Sequence, residues 1–275
     1  AHGCACDPVA ECMMNRSAFF LTGGTETPAS LCQKLTDAGM GEAHGVVGEN
    51  LGTEAEAIRY GSAAELAGQS FAPLSVLLVE NFDLPQLRAP GFPDESFIRS
   101  EVPMTKQEVR AAALAKLAVM PTDTLWDVGA GTGSVSVELA LAAPKGRVYA
   151  VECEPDACEL IRKNRAKFHA CNLILIEGRA PDVLADLPAP DAVFIGGTKG
   201  GMEAVLDEVL GKNPNARICI SAIALETLGA AIAALTARGL TAEVTQIAVS
   251  RTKPAGRLHL LMANNPIFLI TGTRK

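Results

Sequence analysis

The sequence predicts a doubly wound α/β fold with a mostly parallel sheet, and three features predict it. From Trp126 onward, short apolar strands alternate with helical patterns, which builds a parallel sheet with helices on both faces. The run Asp127-Val128-Gly129-Ala130-Gly131-Thr132-Gly133 joins an apolar strand to an amphipathic helix carrying Val135, Val137, Leu139 and Ala140. The segment Gly146 to Glu152 reads as a second strand ending in a carboxylate, 23 residues past Gly129, a placement suited to holding the two hydroxyls of a ribose.

The elements follow in order. Strands are predicted over 124–128, 147–152, 173–177, 192–195 and 217–220, with helices over 133–143, 155–168, 201–210 and 224–238. The end differs: Glu243 to Ser250 alternates, a Lys/Pro/Gly loop follows, and Pro266 to Thr271 is apolar with no long helix between. Two strands meeting that way suit an antiparallel pair at the sheet edge. Open sheets gather ligands at the carboxyl ends of their strands near the order reversal, where Gly129, Glu152 and Gly196 fall.

Upstream, Pro85, Pro90, Gly91, Pro93 and Pro103 mark residues 83–104 as a linker. Before it, Phe19-Phe20-Leu21 and Leu74 to Val79 read as buried strands, and Pro28 to Ala38 and Ala63 to Leu66 as helices. This stretch, 18–82, is small for a self-sufficient core and reads as part of a larger α/β domain. Residues 1–17 are expected to be a disordered tail. His2, Cys4, Cys6 and Cys12 make a metal site only by chance composition, so no metal is expected.

At 275 residues and 48% hydrophobic content the chain can bury a full core with a smaller piece beside it. Its longest apolar stretch, Ile218 to Leu235, is interrupted by Glu226 and Gly229 and reads as a buried strand and helix, not a membrane span. The chain starts at alanine without a basic segment and apolar core, so it reads as a fragment of a cytoplasmic protein. Eight cysteines lack C-x-x-C pairing. A formal charge of −7 argues against nucleic acid as the main partner.

The glycine spacing here is G-x-G-x-G. It resembles motif I of the class I S-adenosylmethionine-dependent methyltransferases, whose ligand carries no phosphate and needs close backbone approach. A larger ordered set extends the likeness: Gly91-Phe92-Pro93-Asp94-Glu95-Ser96-Phe97, Val102 through Arg110, motif I, Glu177-Gly178-Arg179-Ala180-Pro181, Phe194-Ile195-Gly196-Gly197 and Asn265-Pro266-Ile267-Phe268. Over residues 91–273 this set resembles the decarboxylating C15-methyltransferase half of the precorrin-6Y C5,15-methyltransferases. Residues 18–81, with Leu21 to Pro28 and Gly48 to Gly52, resemble the second half of the C5-methyltransferase partner domain.

That resemblance implies a class I methyltransferase domain over 105–275 with a seven-stranded sheet and an antiparallel edge strand, preceded by a smaller partial α/β domain. It implies S-adenosyl-L-methionine as cofactor and precorrin-6B, a reduced tetrapyrrole, as substrate, methylated at C15 with loss of the C12 acetate carboxyl. It implies no C5 methylation by this chain alone, and a homo-oligomer, with a tetramer favoured. Cofactor contacts carried over are Thr105, Gly129, Ala130, Gly131, Thr132, Gly133, Glu152 and Ala180. Thr105 also fits a helix N-cap in Thr105-Lys106-Gln107-Glu108. Arg179 reads either as a turn residue or as a stacking partner for adenine.

Substrate carboxylates need cations, and the densest basic stretch is Arg251-Thr252-Lys253-Pro254-Ala255-Gly256-Arg257. Arg251, Lys253 and Arg257, with Arg99, Lys106 and Lys199 and the paired Gly196 and Gly197, form the expected substrate side. The family has a serine after the paired glycines, where this chain has Thr198 then Lys199. No strong base is obligatory for attack of a ring carbon on a sulfonium methyl, and no catalytic residue is assigned. The competing readings are a class I tRNA adenine methyltransferase, disfavoured by the charge, and a non-catalytic cofactor-binding fragment that works with a partner chain.

Overall fold

The computed structural model describes residues 6–85 and 89–274. Two compact units result, residues 1–87 with 165–172 and residues 88–164 with 173–275. No described helix is long and apolar enough to cross a membrane.

In the first unit the elements are α1 (Pro8–Met14), β1 (Ser17–Leu21), α2 (Pro28–Asp37), β2 (His44–Glu49), β3 (Ala57–Ser62), α3 (Ala63–Ala67) and β4 (Ser75–Glu80). The sheet runs β1-β4-β2-β3 and is antiparallel throughout. Two strands here, β2 and β3, escaped the sequence reading because their glycines and charges hide the alternation. Phe20, Val47 and Leu77 of the sheet cluster with Leu31, Leu35 and Leu66 of the helices, all buried.

The disordered tail expected over residues 1–17 is corrected where the structure describes it, and residues 1–5 lie outside the described residues. Asp7 caps α1, its Oδ1 accepting the Val9 and Ala10 amides at 3.0 and 3.4 Å, and Val9, Cys12 and Met13 are buried in the core. A capped turn with apolar residues on one face gains more by burial than a solvated tail retains in chain entropy. Burial pushes the Cys12 thiol up to about 12, leaving it an inert hydrophobe. The strands read as buried are covered on one face only: Phe19, Leu21, Ile58 and Tyr60 share the other face and are exposed.

The second unit continues with α4 (Gln107–Leu117), β5 (Thr124–Val128), α5 (Ser134–Ala142), β6 (Arg147–Glu152), α6 (Pro155–Lys167), β7 (Leu173–Glu177) and β8 (Ala192–Ile195). Then come α7 (Met202–Lys212), β9 (Arg217–Ala222), α8 (Leu225–Ala237), β10 (Leu240–Ile247), β11 (Ser250–Ala255), β12 (Leu258–Ala263) and β13 (Ile267–Arg274). A seven-stranded sheet of order β10-β13-β9-β8-β5-β6-β7 forms the middle layer. Strands β5 to β9 pair in parallel. The antiparallel pair is at the edge as expected, but the reversed strand is β13, one place in from edge strand β10. In central strand β5, Leu125, Trp126, Asp127 and Val128 are all fully buried, as a strand covered on both faces requires.

Two expectations are revised. The Lys/Pro/Gly loop after β10 is a two-stranded ribbon, β11 against β12, turning at Gly256, which supplies a φ of +62°. Every residue of β12 is exposed, so no buried face imposed an alternating signal on it. The linker over 83–104 is, from residue 89 on, a strap packed into the second unit: Phe92, Asp94 and Phe97 are buried.

One guanidinium holds the strap. Arg110 of α4 is fully buried. Its Nε donates to Glu138 at 2.7 Å and its NH1 to Asp94 at 2.9 Å, with further bonds to the Thr105 and Phe92 carbonyls. Glu138 accepts the Gly91 and Phe92 amides at 2.7 and 3.1 Å. The Phe97 ring lies 4.6 Å from the guanidinium. Asp94 caps α4 from outside by accepting the Gln107 amide at 3.0 Å, so the N-cap residue is Lys106 and not Thr105.

Burial opposes ionisation of Asp94, but the bonds from Arg110 and Arg251 win and hold its pKa below the ordinary value. Replacing Arg110 by Ala strands two buried carboxylates, and a loss of about 3–5 kcal/mol in urea unfolding is expected. A group depressed in this way stabilises the fold fully above its unfolded pKa of about 3.9, and that stability is lost as pH falls through the folded value. Acid titration of Asp94→Asn is expected to lack this component.

Candidate active site

The strand order reverses between β5 and β8, and a cleft of about 380 Å³ opens at the carboxyl ends beside that point. Its lining comes from the turn after β5 (Gly129 to Thr132), the end of β6 (Glu152 to Glu154), the turn after β7 (Gly178 to Ala180), the turn after β8 (Gly196 to Lys199) and the strap (Val102, Pro103, Thr105).

Each glycine of the first turn has its own reason. All three hold positive φ, +74° at Gly129, +57° at Gly131 and +74° at Gly133. A Cβ at Gly129 would meet the Gly197 carbonyl at 2.3 Å, one at Gly131 the Pro103 carbonyl at 3.3 Å, and one at Gly133 the Ile161 side chain at 2.9 Å. The missing side chains therefore let the turn after β8, the strap and α6 close in, as much as they clear room for a ligand.

Of the expected cofactor residues, Thr105, Gly129, Ala130, Gly131, Thr132, Glu152 and Ala180 line this cleft; Gly133 does not, and sits behind it as the N-cap of α5. Glu152 Oε1 accepts the Cys153 and Glu154 amides at 2.7 and 2.9 Å, and Oε2 accepts the Gly131 amide at 2.8 Å. A carboxylate has about four acceptor sites, so one remains for a hydroxyl in the cleft. Thr132 Oγ1 is buried with no partner among the described residues. An orphaned hydroxyl and a spare carboxylate site on two residues of one cleft fit a polar, hydroxyl-bearing ligand.

The expected substrate side divides. Gly196, Gly197 and Lys199 line the same cleft, with Lys199 paired to Glu154. That bond raises the Lys199 pKa and lowers the Glu154 pKa. Lys106 lines a second recess. Arg99, Lys253 and Arg257 are exposed and line neither space. The expectation that Arg251 meets substrate is revised: its guanidinium grips Glu108 at 3.1 and 2.6 Å and Asp94 at 2.9 Å. Two protein carboxylates at fixed range are better partners than a transient ligand, and Arg251 ties the base of the ribbon to the strap.

Sequence reading missed the residues that position the cleft. Buried Asn164 of α6 accepts the Ile98 amide at 2.8 Å and donates to the Ile98 and Thr132 carbonyls at 3.0 and 2.9 Å, joining strap to glycine turn. The signal was present: Glu138 and Asn164 are polar groups on apolar helix faces, which need buried partners. Arg179 lines the cleft and donates to the Lys199 carbonyl at 3.3 Å.

A twisted seven-stranded sheet reversing beside a glycine turn, with an acid ending the next strand, defines the class I methyltransferase fold. A solved S-adenosylmethionine-dependent O-methyltransferase from Thermotoga maritima shares it over 88% of this chain at TM-score 0.56 and 14% identity. Residues 96–274 match the precorrin methyltransferase domain family, and the chain belongs to it. A Pyrobaculum calidifontis relative named "Probable cobalt-precorrin-6B C(15)-methyltransferase (decarboxylating)" is 46% identical over 187 residues, 66% of this chain and 95% of that one. A Salmonella typhimurium cobalt-precorrin-6B C(15)-methyltransferase (decarboxylating) is 41% identical over 64% of this chain and 93% of its own. The solved precorrin-6Y C5,15-methyltransferase of Geobacter metallireducens superposes at TM-score 0.66 with 38% identity, covering 70% of this chain and all of that one.

Two outcomes follow from this geometry. Burial raises the Asp127 pKa to about 7, with Ser136 hydrogen bonding to its carboxyl. A raised folded pKa gives stability that is present below the unfolded value of about 3.9 and is lost as pH climbs toward 7. Thermal unfolding of Asp127→Asn across pH 4–8 should show a flatter decline than the wild type. Asn164→Ala should loosen the strap, giving faster amide exchange over residues 98–105 and a higher KM for cofactor with a smaller change in kcat.

Proposed function

We propose that this chain transfers a methyl group from S-adenosyl-L-methionine to C15 of precorrin-6B, in cobalt-free or cobalt-containing form, and removes the carboxyl of the C12 acetate, a step of corrin biosynthesis. The observation that carries it is the cleft at the order reversal, lined by backbone of the glycine turn, by Glu152 with its spare acceptor and by Thr132, whose hydroxyl is buried without a partner among the described residues. The names of its relatives supply the substrate class.

Within this reading Glu152 and Thr132 hold the sugar hydroxyls, Gly129 to Gly131 form the floor, Ala180 and Arg179 flank the base, and Thr105 closes the methionine end. When bound, the cofactor supplies an electrophilic methyl on a sulfonium. The protein orients and excludes water: Val102 and Pro103 of the strap cover the turn, and alignment of two bound partners can lower a barrier by several kcal/mol. The positive charge leaves the sulfur with the methyl and passes to the macrocycle, so a site whose Lys199 is neutralised by Glu154 sets no free cation against either partner.

Residues 18–82 are proposed to be half of a larger C5-methyltransferase-like domain, a reading supported by the exposed apolar face bearing Phe19, Leu21, Ile58 and Tyr60. The leucines of the ribbon, Leu258, Leu260 and Leu261, are exposed too, which supports a homo-oligomer.

Mass spectrometry of the purified chain with S-adenosylmethionine and precorrin-6B tests the function. One methylene gained at C15, one carbon dioxide lost and no methyl at C5 are expected. Glu152→Gln should bind cofactor roughly tenfold more weakly, the scale of one charged hydrogen bond. Cofactor uptake without any change in tetrapyrrole mass would refute the assignment.

A further inference from the structure

A second recess, of about 260 Å³, opens on the same carboxyl edge of the sheet. Met104, Thr105 and Lys106 ahead of α4, Ser221 and Ile223 at the end of β9, and Asn265 ahead of β13 contribute to its wall. Thr105 lines the cofactor cleft as well, so the two spaces meet at that residue. One side of Thr105 suits a methyl donor, and the other offers room for the acceptor.

The wall has the right mixture for an amphiphilic ring. Met104 and Ile223 are apolar, Ser221 and Asn265 offer hydrogen bonds, and Lys106 is a cation. Other cations of the expected substrate side are engaged or remote: Arg251 with Glu108 and Asp94, Lys199 with Glu154, while Arg99, Lys253 and Arg257 line neither space. Lys106 forms no ion pair among the described residues, and its side chain makes no capping bond to α4. A half-buried lysine that lines a recess and has no ion pair among the described residues, in a chain of net charge −7, is suited to an anion.

We propose that this recess is a substrate subsite for a carboxylate-bearing edge of the tetrapyrrole, with the Lys106 ammonium as countercharge and Met104 and Ile223 against the ring. The proposal rests on the methyl-transfer reading above and adds to it the group that sets substrate register. The anchored carboxylate is one the substrate keeps. An ion pair stabilises an ionised carboxylate, which opposes loss of carbon dioxide, so Lys106 does not hold the acetate that departs.

Steady-state kinetics of the full chain with precorrin-6B test it. Lys106→Gln should raise the tetrapyrrole KM roughly tenfold, leave calorimetric affinity for S-adenosylmethionine unchanged, and flatten the rise of KM with salt. Lys106→Arg should restore most of the loss. An unchanged KM in Lys106→Gln, with turnover intact, overturns the subsite. If the wild type methylates no tetrapyrrole, the functional reading fails separately. The recess is then judged by fluorescence titration with uroporphyrin III, a carboxylate-rich tetrapyrrole: roughly tenfold weaker binding by Lys106→Gln sustains it, and equal or absent binding overturns it.

Discussion

The second unit is organised around a charge that no water reaches. Arg110 is fully buried between Asp94 and Glu138, with two strap carbonyls completing its bonds. A guanidinium in such a place is tolerable only with its donors satisfied. Satisfying them draws residues 91–97 onto α4 and α5 and fixes where Val102, Pro103 and Thr105 fall over the glycine turn. The constraint is mutual, since Glu138 and Asp94 are themselves buried and need that cation and the backbone amides beside it. Asn164 extends the same logic to the other side of the cleft, holding Ile98 and Thr132 together.

The glycine turn shows how one motif serves packing and binding at once. Gly129 admits the backbone of Gly197, Gly133 admits Ile161, and Gly131 lies beneath the Pro103 carbonyl. The floor of the cleft is thus set by contacts among four segments, and only then is it available to a ligand. Glu152 belongs to this frame too: three of its acceptor sites fix backbone amides, one from the turn itself, so the acid that faces a sugar also shapes the turn that would cradle it.

Much of this was legible along the chain. Strands β5, β6, β7 and β8 begin and end where apolar runs and turn residues place them, and β5 and β8, covered on both faces, read as nearly uninterrupted apolar runs. The glycine spacing and Glu152 located the cleft for the same reason: backbone conformation and strand ends are local properties. The errors share a cause as well. Residues 83–104 carry the prolines of a linker, yet Phe92, Asp94 and Phe97 are core because Arg110 lies behind them. The basic stretch after β10 carries the composition of a loop, yet it folds back at Gly256 as a ribbon whose exposed strand β12 shows no alternation.

By itself the sequence determined the doubly wound sheet, the turn that opens the cleft, the acid at the end of β6 and the family, since each rests on short local runs and their order along the chain. Only the tertiary structure decided which charges are free. Arg251 and Lys106 are equally basic on paper, but folding sets Arg251 against Glu108, more than a hundred residues away, and leaves Lys106 beside a recess. Pairing is a matter of distance in space, and a carboxylate brought within 3 Å by the fold takes a cation out of play whatever its neighbours in sequence.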